Sequence, residues 1–366
     1  MKVLLLAGEE SGVLYANRLK ALMPNDEVRG YEDYGFKVAD LAVMGFVAVL
    51  KKIFYFLRVK RTMQRAIDEW RPDAVLTIDY PGMNLKLAAY AKSKGIRTVH
   101  VVCPQVWAWK KGRIPKIEAS LDKLCCFFPF EPKYFKPGFA EFIGHPLAEG
   151  FAARDPKAYE KGLVALLPGS RLGEIERNLP TMLEALAKLP GSRAIIPAAN
   201  ERAERAIRQI LANSNTPEPK HPNTPQPKHL SLSVQQGGAR ELLLRAECAV
   251  VASGTATLEA GLARCPTVLV YKVDAFFAWF ARKMIKEIRH IGLVNIIWEK
   301  AGEPGSEPMP ELLQEAFTAD AVANLLTRWR EDPVARAEAI CRLDETVRLL
   351  DGEGNSLDRV VALLKA

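Results

Sequence analysis

The stretch LVALLPGSRLGEIE, residues 163–176, decides the fold expected of this chain. Its apolar run Leu163–Leu167 predicts a short buried strand. Pro168-Gly169-Ser170 breaks that run before a helical pattern over residues 171–189. A strand, a tight turn and a helix in this order are the repeating unit of an α/β protein with a parallel sheet.

The turn in this stretch has the chemistry of a diphosphate site. Backbone N–H groups at a helix N-terminus attract anions, and Gly169 lets a phosphate approach the backbone closely. Arg171 adds a permanent charge with fork geometry, and Ser170 is the candidate helix cap. An ordinary turn with a surface arginine explains the same residues equally well.

A second turn of the same kind follows in the same half of the chain. The run 249–252 predicts a strand, Ser253-Gly254-Thr255-Ala256-Thr257 the turn, and Leu258–Ala263 the next helix. Glu259 lies one turn into that helix, where its carboxylate could bind a ribose diol. The alternative is a solvated glutamate that the helix dipole favours at this position.

Bulk properties suggest a protein with anionic partners. The 366 residues are enough for about two domains, and 49% hydrophobic with 26% charged residues is a globular composition. The net charge of +8 favours phosphorylated ligands, nucleic acid or anionic lipid. No nucleic-acid module pattern is present, so phosphates or a membrane surface are the expected partners.

Cysteine spacing and hydropathy bear on where the protein works. The six cysteines form no CxxC pair or metal spacing, which predicts a reduced cytoplasmic protein without a metal site. The N-terminal apolar run is too short for a signal peptide. No apolar run approaches the roughly 18 residues of a membrane-spanning helix, so membrane contact is expected to be peripheral.

The first strand, Val3–Leu6, leads into the turn Gly8–Gly12 and a helix predicted over residues 14–22. The turn lacks GxGxxG, and its acidic pair would repel a pyrophosphate. Glu9 and Ser11 are better suited to hydrogen-bonding a sugar or an amide.

Two segments combine aromatic side chains with cations. The first basic-aromatic segment, residues 46–65, has apolar residues at helical spacing and six cations without an acid. The second basic-aromatic segment, residues 271–290, repeats the theme, with aromatic residues beside five lysines and arginines. Both patterns fit helices lying at a bilayer surface, and a core-facing helix with a solvated basic face is the alternative.

A candidate base lies at the end of another apolar run. Residues 74–78 predict a central strand, and Asp79 follows at its carboxyl end, where open α/β sheets bind ligands. Such a carboxylate could act as a general base, or it could cap a turn. Trp107 and Trp109 precede cations and could line a lipid or sugar cleft, although buried tryptophans would give the same pattern.

The remaining elements complete a two-domain plan. Further strands are predicted at 98–102, 124–128 and 193–197, and a helix at 201–212. A turn at 142–146 containing His145 ends the first domain, and residues 150–162 are predicted as the linker. A proline-rich repeat over 215–229 is expected to be a surface insertion, and residues 318–366 two or three amphipathic helices.

Taken together, these motifs resemble the lipid-A-disaccharide synthases, family-19 glycosyltransferases of the GT-B architecture. The similar blocks are AGEESG (7–12), LAVMGFVAVL (41–50), TIDYPGMN (77–84), VWAW (106–109), FIGHP (142–146), LLPGSRLGEIE (166–176), ASGTATLE (252–259) and PELLQE (310–315). The resemblance implies an α/β fold of two Rossmann-like doubly wound domains facing a cleft. Residues 1–150 would hold the acceptor and face the membrane, 160–317 would bind the UDP-sugar, and helices over 318–366 would pack back on the first domain or on a partner subunit.

The resemblance also implies a reaction and its residues. The family joins UDP-2,3-diacylglucosamine to 2,3-diacylglucosamine 1-phosphate through a β-1,6 bond with inversion, at the inner face of the cytoplasmic membrane, without a metal or cofactor. Asp79 would be the base. UDP would contact Gly169, Ser170, Arg171, Ser253, Gly254, Thr255, Glu259 and Asn295, and the acceptor or sugar Glu9, Ser11, Met44, Asn84, Gln105 and Trp107. An anionic membrane would contact Phe46, Leu50, Ile53, Phe54, Leu57, Arg58 and Arg61, and a homodimer is compatible with the helical tail.

Three positions depart from the family pattern. Val13, Ala48 and Gly82 stand where the family usually carries acids. Their loss leaves three alternatives open: a GT-B paralogue with another acceptor, a UDP-sugar epimerase, or a silent membrane-associated binding protein. Asp79 is retained, which favours the glycosyltransferase.

Overall fold

The computed structural model describes residues 1–41, 52–108, 111–151, 158–213, 231–273, 289–302, 307–352 and 354–366. Within them the chain forms two compact units. The first unit contains Met1–Glu149 and Leu350–Ala366, and the second contains Gly150–Leu349. The chain therefore leaves the first unit once and returns to it for its last helix.

The first unit is built on a parallel sheet with the strand order β2-β1-β3-β4-β5-β6. The strands are β1 Lys2–Ala7, β2 Glu27–Arg29, β3 Ala74–Ile78, β4 Arg97–Val101, β5 Lys123–Cys126 and β6 Ala140–Phe142. The helices are α1 Glu10–Ala21, α2 Val38–Leu41, α3 Ile53–Trp70, α4 Pro81–Ser93, α5 Ile114–Ser120 and, at the C-terminus, α13 Ser356–Lys365.

Helices cover both faces of this sheet, which is why β1 and β3 are almost entirely apolar and buried. Side chains at Val3 and Leu5 of β1 pack with α1 and α13. Leu4 and Leu6, which point to the opposite face, pack with α3 and α4. The alternation along β1 therefore builds two separate apolar cores.

The second unit repeats the plan with the strand order β12-β11-β10-β7-β8-β9, again parallel. Its strands are β7 Glu160–Leu167, β8 Arg193–Ala198, β9 Ser231–Gln236, β10 Ala246–Ala252, β11 Thr267–Tyr271 and β12 Glu311–Leu313. Its helices are α6 Leu172–Ala187, α7 Glu201–Asn213, α8 Ala239–Arg245, α9 Thr255–Leu262, α10 Leu293–Ala301, α11 Ala319–Glu331 and α12 Pro333–Arg348. Short 3₁₀ helices lie at Glu32–Tyr34, Lys111–Arg113, Pro132–Tyr134, Ala148–Gly150 and Gln314–Ala316.

The tail is three helices, as its amphipathic pattern predicts. Helices α11 and α12 belong to the second unit, whereas α13 packs on α1 and β4 of the first unit. Arg97 Nη2 donates to the Leu363 carbonyl at 2.8 Å, and Arg359 pairs with Glu141 at 2.7 Å. These polar contacts flank the apolar face of α13 and help to hold the helix on the first unit.

Several predicted boundaries are wrong, including the start of α9, which lies at Thr255 inside the predicted turn 253–257. Strand β7 begins at Glu160, inside the predicted linker 150–162, because Glu160 pairs with Ala246 of β10 and the Gly162 N–H donates to Glu247 at 2.8 Å. Helix α1 begins at Glu10 rather than residue 14, so most of the predicted glycine-rich turn is helical. Among the described residues, no helix is long and apolar enough to cross a bilayer.

Candidate functional site

A pocket of about 330 Å³ lies in the second unit at the carboxyl ends of β7, β8 and β10. Both predicted phosphate turns line it. The pocket brings together Gly169, Ser170, Arg171, Ser253, Gly254, Thr255 and Glu259. These residues come from two distant stretches of sequence and meet because β7 and β10 are neighbours in the sheet.

Gly169 supports a close turn at the edge of this pocket. Its φ is +119°, and a Cβ at this position would lie 2.6 Å from Glu174 Oε2. A side chain at residue 169 would therefore force Glu174 away. The fold of the turn therefore requires a glycine at this position.

Glu174 changes the electrostatics expected of the first turn. Its Oε1 accepts from Arg171 Nη1 at 2.8 Å, and its Oε2 accepts from the Arg171 N–H at 3.5 Å. Arg171, and not Ser170, is the N-cap residue of α6. The N-terminus of α6 thus already carries a carboxylate, and the arginine charge is partly offset before any ligand binds.

The N-terminus of α9 has no such carboxylate cap. Gly254 is its N-cap with φ +153°, and a Cβ there would meet no heavy atom within 4 Å. Within the described part of the chain, no side-chain hydrogen bond caps α9. The first N–H groups of a helix have no partner within it, so those of Thr255 and Ala256 are available at the pocket wall. Of the two turns, this one offers the less obstructed anion site.

The two remaining nucleotide candidates have different environments. Glu259 lines the pocket, and burial raises the pKa of its carboxyl. Asn295 is 1% exposed and belongs to the interior, where its Nδ2 donates to the Met309 carbonyl at 2.7 Å and to Glu311 at 2.8 Å. Its side chain thus bridges α10 and the strand β12, and its contact with UDP stays a prediction.

Asp79 lies at the carboxyl end of β3 in the first unit. Its N–H donates to the Val101 carbonyl at 2.9 Å, and its Oδ1 accepts from the Tyr80 N–H at 2.8 Å. Among the described residues, Oδ2 has no hydrogen-bond partner. Burial raises the pKa of Asp79, and the Tyr80 N–H opposes this rise. A carboxylate with a raised pKa and an open oxygen has the properties of a general base.

The backbone at this carboxylate is strained. Asp79 and Tyr80 have φ of +48° and +50°, in the left-handed region that non-glycine residues rarely adopt. Each such residue costs on the order of 1–3 kcal/mol and persists when its surroundings hold it. The ring of Tyr80 lies against Gly8, where a Cβ would be 2.4 Å from Tyr80 Cδ1. Gly8 thus gives Tyr80 the room that this conformation needs.

The predicted acceptor contacts divide into exposed and buried groups. Glu9 and Gln105 are exposed. Asn84 and Trp107 are 0% and 2% exposed, and their polar groups bond within the protein, so their acceptor contacts stay predictions that the burial does not support. Met44 and the side chain of Ser11 lie outside the described part of the structure. Burial in a strand-end loop, the alternative for the tryptophans, is confirmed for Trp107.

The first basic-aromatic segment continues into α3, which has both a buried and an exposed apolar face. Phe56 and Met63 of α3 are buried, whereas Ile53, Phe54 and Leu57 are 41%, 82% and 42% exposed. Cations at Arg58 and Arg61 are also exposed. Phe46, Leu50, Trp109, the repeat over 215–229 and most of the second basic-aromatic segment lie outside the described residues. Core packing and surface exposure therefore both apply to this one helix.

One described cluster has metal-ligand chemistry. The sulfurs of Cys103 and Cys126 and a carboxylate oxygen of Glu131 lie within 4.8 Å of one another, all buried. Glu131 accepts from Trp107 Nε1 at 3.2 Å and from the Phe128 N–H at 3.1 Å. Burial raises the pKa of Glu131 to about 8 and that of Cys126 well above its usual range. These groups fit a protonated, internally bonded cluster better than a cation site.

The Glu131 carboxyl should make stability depend on pH. Its pKa is raised from 4.5 to about 8 in the folded protein, so the native state holds this proton more tightly than the unfolded chain. The resulting stabilisation is complete below about pH 4.5 and is lost as pH rises to about 8. We expect Glu131→Gln to flatten the decline in the free energy of unfolding over this range, measured by urea unfolding. The exposed control Glu69→Gln should keep the wild-type slope, and equal slopes in all three proteins would contradict the prediction.

A comparison with known families decides the class of the protein. The lipid-A-disaccharide synthetase family matches residues 3–347. The chain belongs to this family. It is 34% identical over 386 residues to the lipid-A-disaccharide synthase of Anaeromyxobacter dehalogenans, covering 98% of this chain and 95% of that one. It is 34% identical over 325 residues to the enzyme of Neisseria meningitidis serogroup A, covering 85% and 79%. Membership of this family makes the chain a glycosyltransferase.

Solved structures agree on the fold. The crystal structure of MurG from Acinetobacter baumannii has a TM-score of 0.59 and 13% identity, covering 100% of this chain and 99% of that one. The calicheamicin glycosyltransferase CalG4 also has a TM-score of 0.59 and 13% identity, covering 99% and 98%. At this identity the likeness shows the architecture alone, and it confirms the predicted GT-B fold.

Sequence reasoning missed Glu174 as a member of the pocket. The signal was present, since a glutamate three residues after a helix N-cap is half of a capping box. An arginine beside a glycine-containing turn is equally typical of a phosphate ligand, so the sequence does not distinguish that role from pairing with Glu174. Glu131 carried no comparable signal, because one acid in a loop gives no indication of burial.

Proposed function

We propose that this protein transfers 2,3-diacylglucosamine from UDP to the 6-hydroxyl of 2,3-diacylglucosamine 1-phosphate, forming a β-1,6 disaccharide and releasing UDP. Family membership supports the substrates. The observation on this chain that carries the chemistry is Asp79, a partly buried carboxylate with one open oxygen at the carboxyl end of a central strand.

In the proposed step, Asp79 takes the proton from the acceptor 6-hydroxyl as its oxygen attacks the anomeric carbon of the donor. The bond from that carbon to the UDP oxygen breaks on the opposite face, which turns an α-linked donor into a β-linked product. The bonding electrons leave with the diphosphate. Asp79 holds the proton after the step, so atoms and charge balance.

The proposed leaving-group site is the pocket of the second unit. The backbone N–H groups at the N-terminus of α9 and the positively charged guanidinium of Arg171 would attract the negatively charged diphosphate. The diphosphate would compete with Glu174 for Arg171, because Glu174 Oε1 already accepts a hydrogen bond from Arg171 Nη1 at 2.8 Å. Glu259 is placed in the same pocket as a candidate for the ribose hydroxyls.

The departures from the family pattern are compatible with this function where they are described. Gly82 is exposed in the first turn of α4, and a Cβ there would meet no heavy atom within 4 Å. Val13 of α1 packs against the apolar core of the first unit. Open space at Gly82 and apolar packing at Val13 fit the local structure, and Asp79 is retained.

UDP release in detergent micelles tests the proposal. Release is expected when both the UDP-linked and the 1-phosphate substrates are present, and the rate should fall to background when the acceptor is omitted. An epimerase would instead exchange the C2 hydrogen of the donor with solvent without an acceptor. A silent binding protein would bind UDP and release none from the donor.

We further propose that the first turn of α3 touches an anionic bilayer at the cytoplasmic face of the membrane. Ile53, Phe54 and Leu57 expose apolar surface beside Arg58 and Arg61.

We also propose that two copies of the protein form a homodimer through the helical tail. Sedimentation of the detergent-free protein would test this.

Phe54→Glu should weaken binding to phosphatidylglycerol vesicles by about tenfold or more. Burying one large apolar side chain contributes about 1.5–3 kcal/mol, and a carboxylate adds repulsion from the lipid phosphates. Vesicle sedimentation measures the effect. Val334→Glu is the matched control, since Val334 is 68% exposed but lies in the second unit. Equal losses in both variants would show that binding does not involve α3.

A further inference from the structure

The strained pair Asp79-Tyr80 is held by a buried amide. Asn84 Nδ2 lies 2.8 Å from the Asp79 carbonyl and 3.1 Å from the carbonyls of Ile78 and Leu6. The amide thus ties the strained turn to the neighbouring strand β1. Because three carbonyls face Nδ2, the reversed orientation of the amide would bring oxygen against oxygen.

The other end of this amide is bound by Tyr31. Its hydroxyl donates to Asn84 Oδ1 at 2.8 Å, and the tyrosine is 2% exposed. Burial raises the pKa of Tyr31, so the hydroxyl keeps its proton at any working pH. Tyr31 follows β2, which lies on the far side of β1 from Asp79. A continuous chain of hydrogen bonds therefore runs from Tyr31 through Asn84 to the backbone of Asp79.

We propose that Tyr31 and Asn84 are positioning residues that hold the Asp79-Tyr80 backbone in its left-handed conformation and so direct the open carboxylate oxygen. The conformation places the Tyr80 N–H on Asp79 Oδ1 at 2.8 Å, which leaves Oδ2 for the acceptor proton. Neither residue touches a substrate, because both side chains are buried. The role of these hydrogen bonds in catalysis rests on the proposed function, whereas their geometry is independent of it.

Tyr31→Phe is the decisive variant because it removes one hydroxyl and keeps the ring. We expect kcat to fall about five- to tenfold, in line with the loss of one buried hydrogen bond, with an unchanged KM for the UDP-sugar. Tyr90→Phe is the matched control. Tyr90 lies on α4, the helix that carries Asn84, but its hydroxyl bonds Asp68 at 2.6 Å on the surface. It should keep wild-type kcat.

A second measurement follows Asp79 without any turnover. Carboxyl-¹³C aspartate labelling, with Asp79 assigned by its absence from Asp79→Asn, gives the pH at which this group titrates. When Tyr31→Phe loosens the turn, the Tyr80 N–H bond to the carboxylate weakens, and the titration should move to higher pH. Tyr90→Phe should leave it in place. A merely structural role for Tyr31 would lower thermal stability and leave the titration and kcat unchanged.

Asn84→Ala completes the test. If Tyr31 acts through Asn84, adding Tyr31→Phe to Asn84→Ala should not lower kcat further. Additive losses, or an Asp79 titration identical in Tyr31→Phe and the wild type, would overturn the proposal. A wild-type protein without turnover would overturn the proposed function instead, and the titration would still decide the positioning.

Discussion

Replacing Asp79 with asparagine is expected to lower kcat by about 10²–10⁴-fold, the usual contribution of a general base. The substitution keeps the size of the side chain and removes its capacity to accept a proton. UDP release from saturating donor and acceptor measures the loss. The affinity for UDP should stay at the wild-type value, because the proposed UDP site lies in the second unit.

The pH profile of the wild type provides a second measure of the same group. Burial raises the pKa of Asp79 above 3.8, and the base works only when ionised. Activity should therefore fall as pH decreases through this raised pKa, at higher pH than for an exposed aspartate. An Asp79→Asn protein with wild-type kcat would show that another group takes the proton.

Arg171→Ala is expected to lower kcat/KM for the UDP-sugar by about 10–150-fold. A hydrogen bond to a charged group contributes about 1.5–3 kcal/mol, and removing the arginine also leaves Glu174 unpaired beside the diphosphate. Steady-state kinetics with a saturating acceptor measure this effect, and calorimetry with UDP shows how much of it is ground-state binding.

Arg205→Ala is the matched control for this substitution. Arg205 is an exposed arginine of α7 in the same unit, paired with Glu201 at 3.7 Å. It should keep the wild-type kcat/KM. Equal losses in both variants would point to the net charge of the protein, and no loss at Arg171 would remove it from the diphosphate site.

Buried central strands were the most predictable part of the fold. The runs 3–6, 163–167 and 249–252 within β1, β7 and β10 are apolar, and β3 contains Thr77 as its one polar residue, since helices cover both faces of each sheet. The three-residue edge strands β2 and β12 are too short to show a period. Helix α4 begins at Pro81, directly after the strained Asp79-Tyr80 pair, and the Pro-Gly sequence there is equally typical of a turn.

Within the candidate site, sequence identified groups but not their surroundings. Asp79 and the two phosphate turns could be found because each follows an apolar run at the edge where parallel strands end. The side chains of three other candidates, Asn84, Trp107 and Asn295, carry polar groups. Their hydrogen-bond partners include groups that lie 14 to 78 residues away in the sequence. Tyr31 showed no signal, because its bond to Asn84 spans 53 residues.

The structure of the product tests the central claim most directly. The protein is incubated in detergent with UDP-2,3-diacylglucosamine and 2,3-diacylglucosamine 1-phosphate, and the lipid product is analysed by mass and by the anomeric proton coupling. A tetraacylated disaccharide 1-phosphate with a β bond to the acceptor 6-oxygen, formed with one UDP per molecule, is the predicted result. An α-linked product, or UDP binding without any disaccharide, would contradict the claim.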